Sequence, residues 1–400
     1  MKIALLREGK IPADKRVALS PKQCLEVLKQ YPGLVLVVQP SPIRKFTDQD
    51  YLDLGIILQE DLSDCDVLIG VKEVPKKDLI PHKTYFYFSH TIKEQPYNKS
   101  LLLKMLSLNI RMIDYEVLTN EKSKRLIGFG RYAGIVGCYN GFLAYGKRTS
   151  SFSLKPAHLC EDRKEMEIEL RKIQLEPIKI ILTGSGRVGN GIIELINIIG
   201  IRQVSPDEFL NKSFDEPVFV HLNTLDYNKR IDGSASSKSD FYTNPGSYQS
   251  DFLKFAKTAE MFIAGHYYAA GSPFLFTRED AKSKEFKIRT VADVSCDING
   301  PVACTIQPST IQNPIYGYNP FTELIDDYAK PDVIAVMAVD NLPCELPKDS
   351  SIDFGAELIK HILPCLLSTD PHKVIERATI CENGKLTEQF SYLESYVIDS

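Results

Sequence analysis

The segment Ile178–Ile199 constrains the fold of this chain more than any other, because it reads as a strand, a glycine turn and a helix. Ile178–Leu182 is an almost continuous apolar run, and Ile192–Ile199 has helical character. Three glycines with GxGxxG spacing allow a tight turn, close approach of a pyrophosphate and helix–strand packing. The alternative is a tight turn that binds nothing. The pattern favours a dinucleotide site made by Gly184, Ser185, Gly186, Arg187, Val188 and Gly189.

The residues after this turn leave the choice between NAD and NADP open. In NAD-binding folds, a carboxylate about 20 residues further on binds the adenosine ribose. Here the short strand Arg202–Val204 is followed by Ser205, Pro206 and Glu208, which is the pattern of a capped helix start. With Ser205 at the expected position of the acid and Arg202 nearby, a 2'-phosphate would not be repelled. We therefore expect Arg202 and Ser205 to lie at the cofactor, which is NAD or NADP.

Short apolar strands alternate with helical segments through the first half of the chain, a pattern typical of a parallel sheet with helices on its faces. The sequence predicts an α/β protein with two Rossmann-like, doubly wound parallel-sheet domains and an interdomain cleft. Residues 1–135 form the catalytic domain and residues 136–350 the dinucleotide-binding domain. Residues 351–400 form an apolar helix and a hairpin, turned at Asn383 and Gly384, that pack back on the first domain. Asp232–Tyr248, rich in Ser, Gly and Asn, predicts a mobile loop.

The composition narrows the class of protein and its partners. A net charge of -4 without a basic block argues against nucleic acid as a partner. The nine cysteines contain no CxxC pair and are expected to be reduced thiols, and no spacing typical of a metal site or a Ser/His/Asp hydrolase is present. The start of the chain has no signal-peptide core and no later run is long enough to span a membrane. We expect a cytoplasmic protein without metal.

Ionisable residues follow three strands of the first predicted domain. Lys72, His90 and Glu116 come at or just after the ends of these strands, where α/β sheets place ligands. A lysine and a histidine can share proton transfer, and a glutamate beside them would tune the pKa of both. For any one of these residues alone, an exposed strand end or a satisfied polar residue is the favoured interpretation, and the three together favour a shared cleft wall. Four cations are candidates for binding substrate carboxylates, namely Arg16, Lys93, Arg125 and Arg131.

Six segments along nearly the whole chain carry a resemblance to a known family. These are GVKEVP at 70–75, YFYFSHTIKEQ at 85–95, IRMIDYE at 110–116, GFGRYAGIVG at 128–137, VADVSCDINGP at 291–301 and AVDNLPCELP at 338–347. The chain resembles the lysine-forming saccharopine dehydrogenases and the lysine–2-oxoglutarate reductase half of the bifunctional enzyme of lysine breakdown. It is more distantly similar to alanine dehydrogenase and the nucleotide-binding subunit of transhydrogenase.

The resemblance implies an oxidoreductase that converts saccharopine, NAD(P) and water into lysine, 2-oxoglutarate and NAD(P)H, and the reverse. It implies that Lys72 and His90 are the acid–base pair and that Glu116 modulates their pKa values. Arg16, Lys93 and Arg125 match substrate-carboxylate contacts, and Asp340 is expected near the cofactor. Two alternatives stay open: an alanine dehydrogenase-like or opine-type enzyme, and a non-catalytic NAD(P)-binding protein.

Overall fold

A computed structural model describes residues 1–398; residues 399 and 400, the end of the predicted C-terminal segment, lie outside the described residues. The described chain contains these strands: β1 (Lys2–Leu5), β2 (Val35–Val38), β3 (Ile57–Leu58), β4 (Val67–Lys72), β5 (Thr84–Phe88), β6 (Arg111–Asp114), β7 (Lys179–Thr183), β8 (Arg202–Val204), β9 (Val218–Leu222), β10 (Asn228–Arg230), β11 (Tyr248–Ser250), β12 (Met261–Ala264), β13 (Thr290–Asp293), β14 (Ile315–Asn319), β15 (Leu324–Asp326), β16 (Ile334–Met337), β17 (Thr379–Glu382) and β18 (Lys385–Leu386).

The α-helices are α1 (Pro21–Gln30), α2 (Asp48–Leu52), α3 (Pro96–Ser107), α4 (Gly130–Thr149), α5 (Arg163–Glu169), α6 (Arg187–Ile199), α7 (Pro206–Asn211), α8 (Lys238–Thr243), α9 (Leu253–Ala256), α10 (Arg278–Lys282), α11 (Pro347–Glu357), α12 (Leu363–Leu367), α13 (Val374–Arg377) and α14 (Glu394–Ile398). A π-helical turn, Leu358–Ile362, joins α11 to α12. In the described part of the chain no helix is both long and apolar enough to cross a membrane.

The chain divides into two compact units. Unit 1 contains Met1–Phe129 and the described residues from Pro347 onward, and unit 2 contains Gly130–Leu346. The second unit starts earlier than the predicted residue 136, because all of helix α4 belongs to it.

Unit 1 is built on an eight-stranded sheet with the order β18-β17-β6-β5-β4-β1-β2-β3. Six adjacent strands of this sheet are parallel and have the Rossmann order 3-2-1-4-5-6, namely β3, β2, β1, β4, β5 and β6. The C-terminal hairpin β17–β18 adds two antiparallel strands beside β6. Asn383 and Gly384 at its turn both have positive φ angles, 50° and 74°, as a tight two-residue hairpin requires.

Unit 2 holds a second eight-stranded sheet with the order β15-β14-β16-β13-β12-β7-β9-β8. Six adjacent strands are parallel, namely β8, β9, β7, β12, β13 and β16. Strands β14 and β15 are antiparallel additions at the β16 edge. The predicted fold class, two Rossmann-like sheets, is therefore confirmed. One detail differs: β8, the strand after the glycine helix, is the outer strand, and β9 lies directly beside β7.

Two features of unit 2 differ from the sequence predictions. Strands β14 and β15 were not predicted, because Ile315–Asn319 and Leu324–Asp326 are short and carry polar residues. The predicted mobile loop Asp232–Tyr248 contains helix α8, whose N-cap Ser237 accepts a hydrogen bond from the Asp240 amide. Burial of aromatic rings, with Phe241 and Tyr248 in edge contact at 5.2 Å, anchors this segment.

Glycines let helix α4 pack directly against backbone. A Cβ at Gly134 would lie 2.0 Å from the Val188 carbonyl oxygen, and one at Gly191 would lie 2.1 Å from the Arg131 carbonyl oxygen. Helices α4 and α6 therefore approach each other closely enough that a methyl group has no room.

We expect Gly134→Ala to lower the free energy of unfolding by about 2 kcal/mol or more, even though alanine favours helix by about 1 kcal/mol, because the added methyl group meets rigid backbone. Urea denaturation measures the change. The matched control is Gly246→Ala, since a Cβ there has nothing within 4 Å. Equal stability of the two variants would contradict the packing argument.

Candidate functional site

Strands β4, β5 and β6 of unit 1 end side by side. Lys72 is paired in register with Phe88, and Tyr87 is paired with Asp114. Since these strands are parallel, the residues that follow them leave the sheet at one edge. The structure therefore brings the strand ends that carry Lys72, His90 and Glu116 together, as the sequence predicts.

His90 and Glu116 form a direct pair. The His90 Nδ1 atom lies 3.1 Å from Glu116 Oε2. Lys93 Nζ and Arg125 Nη2 lie 3.2 Å and 3.7 Å from Glu116 Oε1. Burial alone would raise the pKa of Glu116, but the hydrogen bond with His90 and the charges of Lys93, His90 and Arg125 lower it to about 2. Glu116 is therefore a carboxylate at neutral pH and attracts three cationic or basic groups.

The turn that carries His90 has a left-handed backbone, with a φ of 56° at His90. Such a conformation is unfavourable for a residue with a Cβ and persists only where neighbouring contacts hold it. Asp114 supplies these contacts: its Oδ2 accepts the Ser89 amide at 2.9 Å and the Ser89 hydroxyl, and its Oδ1 accepts the Glu116 amide at 2.7 Å. One buried carboxylate thus fixes the backbone on both sides of the His90–Glu116 pair.

Arg16 lies deep in unit 1, with a side chain that is 2% exposed. Its guanidinium is bidentate to Asp14, at 3.0 Å and 2.6 Å, and stacks over the Phe129 ring at 4.2 Å. Lys72 is close enough to Asp14 to help lower the pKa of that carboxyl group, against the opposing effect of burial. A substrate carboxylate at Arg16 would therefore share the guanidinium with Asp14.

Arg131, the fourth candidate cation, belongs to unit 2. It makes a bidentate pair with Glu194 of helix α6, at 2.9 Å and 2.8 Å, and Arg163 also binds Glu194 at 2.7 Å. In unit 2 this arginine therefore joins α4 to the glycine helix.

The glycine turn of unit 2 has the geometry that a dinucleotide needs. Gly184 has a φ of 99°, a Cβ at Gly189 would lie 1.9 Å from the Gly184 carbonyl oxygen, and Gly186 faces open space. Helix α6 starts at Arg187, so its first amide groups lie beside the open face at Gly186. These residues fit a pyrophosphate, whose approach a side chain at 186 would block.

Arg202 and Ser205 lie away from this turn. Arg202 is the first residue of the outer strand β8, and Ser205 follows its last residue. Strand β9 separates β8 from β7, so β8 lies two strand spacings of roughly 4.8 Å from β7. Arg202 pairs with Glu216 at 2.7 Å, and Ser205 closes the capping box of α7 with Glu208. The sequence prediction took β8 for the neighbour of β7, and the strand order explains the difference.

The end of β9 lies beside the glycine turn. His221 Nε2 lies 2.8 Å from the Gly184 carbonyl oxygen. Asn223 follows the strand, and its amide donates to Asp226 Oδ2 at 2.6 Å. Asp340, the other predicted cofactor residue, is exposed and follows β16.

Sequence reasoning missed three buried acids in unit 1: Asp14, the partner of Arg16, and two acids near strand ends, Glu8 and Asp114. Glu8 accepts the backbone amides of Val71 and Lys72, both at 2.8 Å. Asp114 is the last residue of β6 and Glu8 follows β1 by three positions. The rule that selected Lys72, charged residues at the ends of parallel strands, would have found Glu8 and Asp114.

Residues 4–136 match the family model described as "Alanine dehydrogenase/PNT, N-terminal domain". Over 98% of its length the chain is 29% identical to the mouse alpha-aminoadipic semialdehyde synthase, a mitochondrial protein of which it covers 47%. It therefore spans about half the length of this relative. It is 25% identical over 91% of its length to the NAD(+)-dependent, L-lysine-forming saccharopine dehydrogenase of Yarrowia lipolytica, and covers 92% of that protein.

A solved L-alanine dehydrogenase superposes with a TM-score of 0.64 at 15% identity, covering 99% of this chain and 100% of the other. This likeness concerns the fold. Together with the two sequence relatives, it confirms the resemblance to lysine-forming saccharopine dehydrogenases within an alanine dehydrogenase-like fold.

The low pKa of Glu116 predicts how its contribution to stability depends on pH. A carboxyl group whose pKa falls on folding stabilises the folded state above its ordinary pKa of 4.5, and this stabilisation disappears as the pH falls through about 2. We expect Glu116→Gln to be less stable than the parent by about 1 kcal/mol at pH 6, after allowance for solvent screening, and the difference to narrow towards pH 3. Thermal unfolding at a series of pH values checks this. A difference that stays constant from pH 6 to pH 3 contradicts it.

Proposed function

We propose that the chain is an NAD-dependent oxidoreductase that interconverts saccharopine and water with lysine and 2-oxoglutarate. The observation that carries the proposal is the set of strand ends in unit 1, where the His90–Glu116 pair follows the strands beside Lys72. A glycine turn that fits a pyrophosphate, in unit 2, supplies the second requirement. The two sequence relatives support the choice of substrate.

The glycine turn Gly184–Gly189 would hold the dinucleotide, whose nicotinamide would supply the hydride acceptor for the carbon beside the secondary amine of saccharopine. Lys72 and His90 would share the proton transfers: removal of the amine proton, activation of the water that attacks the imine, and protonation of the amine that leaves as lysine. Glu116, ionised at neutral pH, holds the His90 ring through Nδ1 and leaves Nε2 for the substrate.

The cations around Glu116 suit a substrate with several carboxylates. Lys93 and Arg125 are about half exposed, so their charged groups can reach a ligand while Glu116 keeps them near His90. Arg16, fixed by Asp14, would offer a rigid third contact. Arg131 belongs to unit 2, where Glu194 holds its guanidinium, and we leave it out of this set of contacts.

NAD is the cofactor that the end of β9 favours. Asn223 follows the strand beside β7, where an acid that binds the ribose is expected. The backbone amide of Asn223 donates a hydrogen bond that fixes the Asp226 carboxylate there. A 2'-phosphate there would meet a negative charge, whereas ribose hydroxyls could bind the carboxylate or the amide. The name of the Yarrowia relative, which specifies NAD(+), supports the same choice.

The assay that tests the function follows NADH absorbance at 340 nm. We expect NADH consumption only when lysine and 2-oxoglutarate are both present, and NAD reduction with saccharopine. Lys72→Met and His90→Gln are each expected to lose about 100- to 10,000-fold in kcat, the usual contribution of a general acid or base.

Lys104→Met and His82→Gln serve as matched controls. Lys104 is an exposed lysine on α3, and His82 is an exposed histidine that shares the left-handed backbone of His90, with a φ of 62°. Turnover with pyruvate and ammonia in place of lysine and 2-oxoglutarate would assign the chain to the alanine dehydrogenase activity instead. Binding of NADH without turnover of any pair would indicate a non-catalytic protein.

The cofactor preference has its own test. We expect Asp226→Asn to raise the ratio of kcat/KM with NADPH to that with NADH by about tenfold, or ~1.4 kcal/mol, because a repulsive charge is removed. Arg202→Ala is the control, and its ratio should match that of the parent, since Arg202 lies on the outer strand. A selective loss of NADPH activity in Arg202→Ala would restore the arginine to the cofactor site.

A further inference from the structure

The register between β1 and β4 runs from Ile3 and Val67 to Leu5 and Ile69, short of the carboxyl end of β4. The last ladder bond there runs from the Leu6 amide to the Ile69 carbonyl oxygen, at 2.9 Å. Beyond it the side chain of Glu8 takes over, with Oε1 accepting the Val71 amide and Oε2 the Lys72 amide, both at 2.8 Å. The two side-chain oxygens of Glu8 thus take the place of a strand at the point where Lys72 leaves the sheet.

The ladder on the other side of β4 is also irregular. The register between β4 and β5 shifts between Ile69 and Lys72. Lys72 pairs with Phe88 beyond this shift, so the regular ladder of β4 and β5 is interrupted just before the lysine. Glu8 supplies a defined contact at the residue whose side chain carries the proposed proton transfer.

The residues after Glu8 continue to follow the extension of β4. A Cβ at Gly9 would lie 2.8 Å from the Pro75 ring, and Lys10 Nζ pairs with Glu73 Oε1 at 2.6 Å. The segment Glu8–Lys10 therefore runs along residues 71–75, with side chains in place of a backbone ladder. The same loop continues to Arg16, so it links the buried arginine to the lysine strand.

Glu8 is 7% exposed, and ionisable side chains from two parts of unit 1 lie near it. Asp14 and Arg16 act on it from its own loop, and Tyr115 lies within electrostatic reach from the turn after β6. Burial, with a further contribution from Asp14, raises the pKa of Glu8 to about 8, against the two amide hydrogen bonds that favour the carboxylate. Burying a carboxyl group is costly unless hydrogen bonds compensate for the lost water. For Glu8, the bonds from the Val71 and Lys72 amides provide this compensation.

We infer that Glu8 is a positioning residue for Lys72, acting through the backbone amides of residues 71 and 72. It touches no reacting atom itself. By fixing the backbone from which the lysine side chain extends, it sets the place of the Lys72 amine relative to a substrate, and small displacements of an acid–base group reduce turnover strongly. This inference rests on the role of Lys72 in the proposed function.

Glu8→Gln removes one of the two contacts with little change in size. An amide has one acceptor oxygen, and its NH2 group would face the second backbone N–H. We expect kcat to fall at least tenfold while the KM values for lysine and 2-oxoglutarate change less than threefold. A kcat within twofold of the parent, or a change confined to KM, overturns the inference.

Asp66→Asn is the matched control for a general loss of sheet stability. Asp66 Oδ2 accepts the Lys2 amide at 2.7 Å, so it makes the same kind of contact between the same two strands at their opposite ends. We expect this variant to keep kcat within twofold of the parent. An equal loss of kcat in both variants would show a structural effect and overturn the positioning role.

Gly9→Ala tests the same contact from the surface and does not alter a buried charge. The added methyl group must push the loop away from Pro75, and we expect at least a fivefold loss of kcat with a melting temperature close to that of the parent. This variant decides the question if Glu8→Gln does not fold. An unchanged kcat in Gly9→Ala contradicts the inference.

A readout without turnover separates this inference from the proposed function. Acetic anhydride labelling, followed by peptide mass spectrometry, measures the reactivity of the Lys72 amine with Lys93 as an internal reference. We expect the Lys72 rate to change at least threefold in Glu8→Gln and to stay unchanged in Asp66→Asn. If the parent turns over no substrate but this change occurs, the proposed function fails and the positioning role stands; an unchanged Lys72 rate overturns the role.

Discussion

Parallel strands that end together leave backbone amide groups without partners, and in unit 1 buried carboxylates satisfy them. Glu8 accepts two amides at the end of β4, and Asp114 accepts amides of Ser89 and Glu116 after β5 and β6. Each carboxylate has two oxygens and can bind donors from two directions, which an amide or hydroxyl side chain does less well. The proposed acid–base residues all lie directly beside these contacts. The geometry of the site therefore depends on how two buried acids complete the edge of the sheet.

Much of the fold could be predicted because local patterns determine it. Strand β8 has the predicted bounds Arg202–Val204, and β7 lies within one residue of the predicted run Ile178–Leu182. The order of strands in unit 2 could not be predicted, because local sequence says nothing about which strand pairs with β7. That single long-range pairing brings the end of β9, with Asn223, beside β7 instead of the end of β8, with Ser205.

The candidate site shows the same division. The positions of Lys72, His90 and Glu116 at strand ends could be read from the sequence, since parallel strands gather their ends at one edge. The partners of the cations could not. Arg131 binds Glu194, 63 residues away, and Lys93 and Arg125 approach Glu116, 23 and 9 residues away, so these charges meet only after the chain folds.

The pKa values of Glu116, Glu8 and Asp114 respond differently to burial, and the difference follows from the neighbours of each acid. Glu116 is surrounded by His90, Lys93 and Arg125, so its pKa falls despite desolvation. Glu8 and Asp114 are bound mainly by neutral amide and hydroxyl groups, so desolvation dominates and the pKa of each rises. A carboxylate that must stay charged beside a histidine thus has cations around it. Glu8 and Asp114 accept hydrogen bonds from backbone amides and, at Asp114, from the Ser89 hydroxyl. Their role therefore depends on geometry more than on charge.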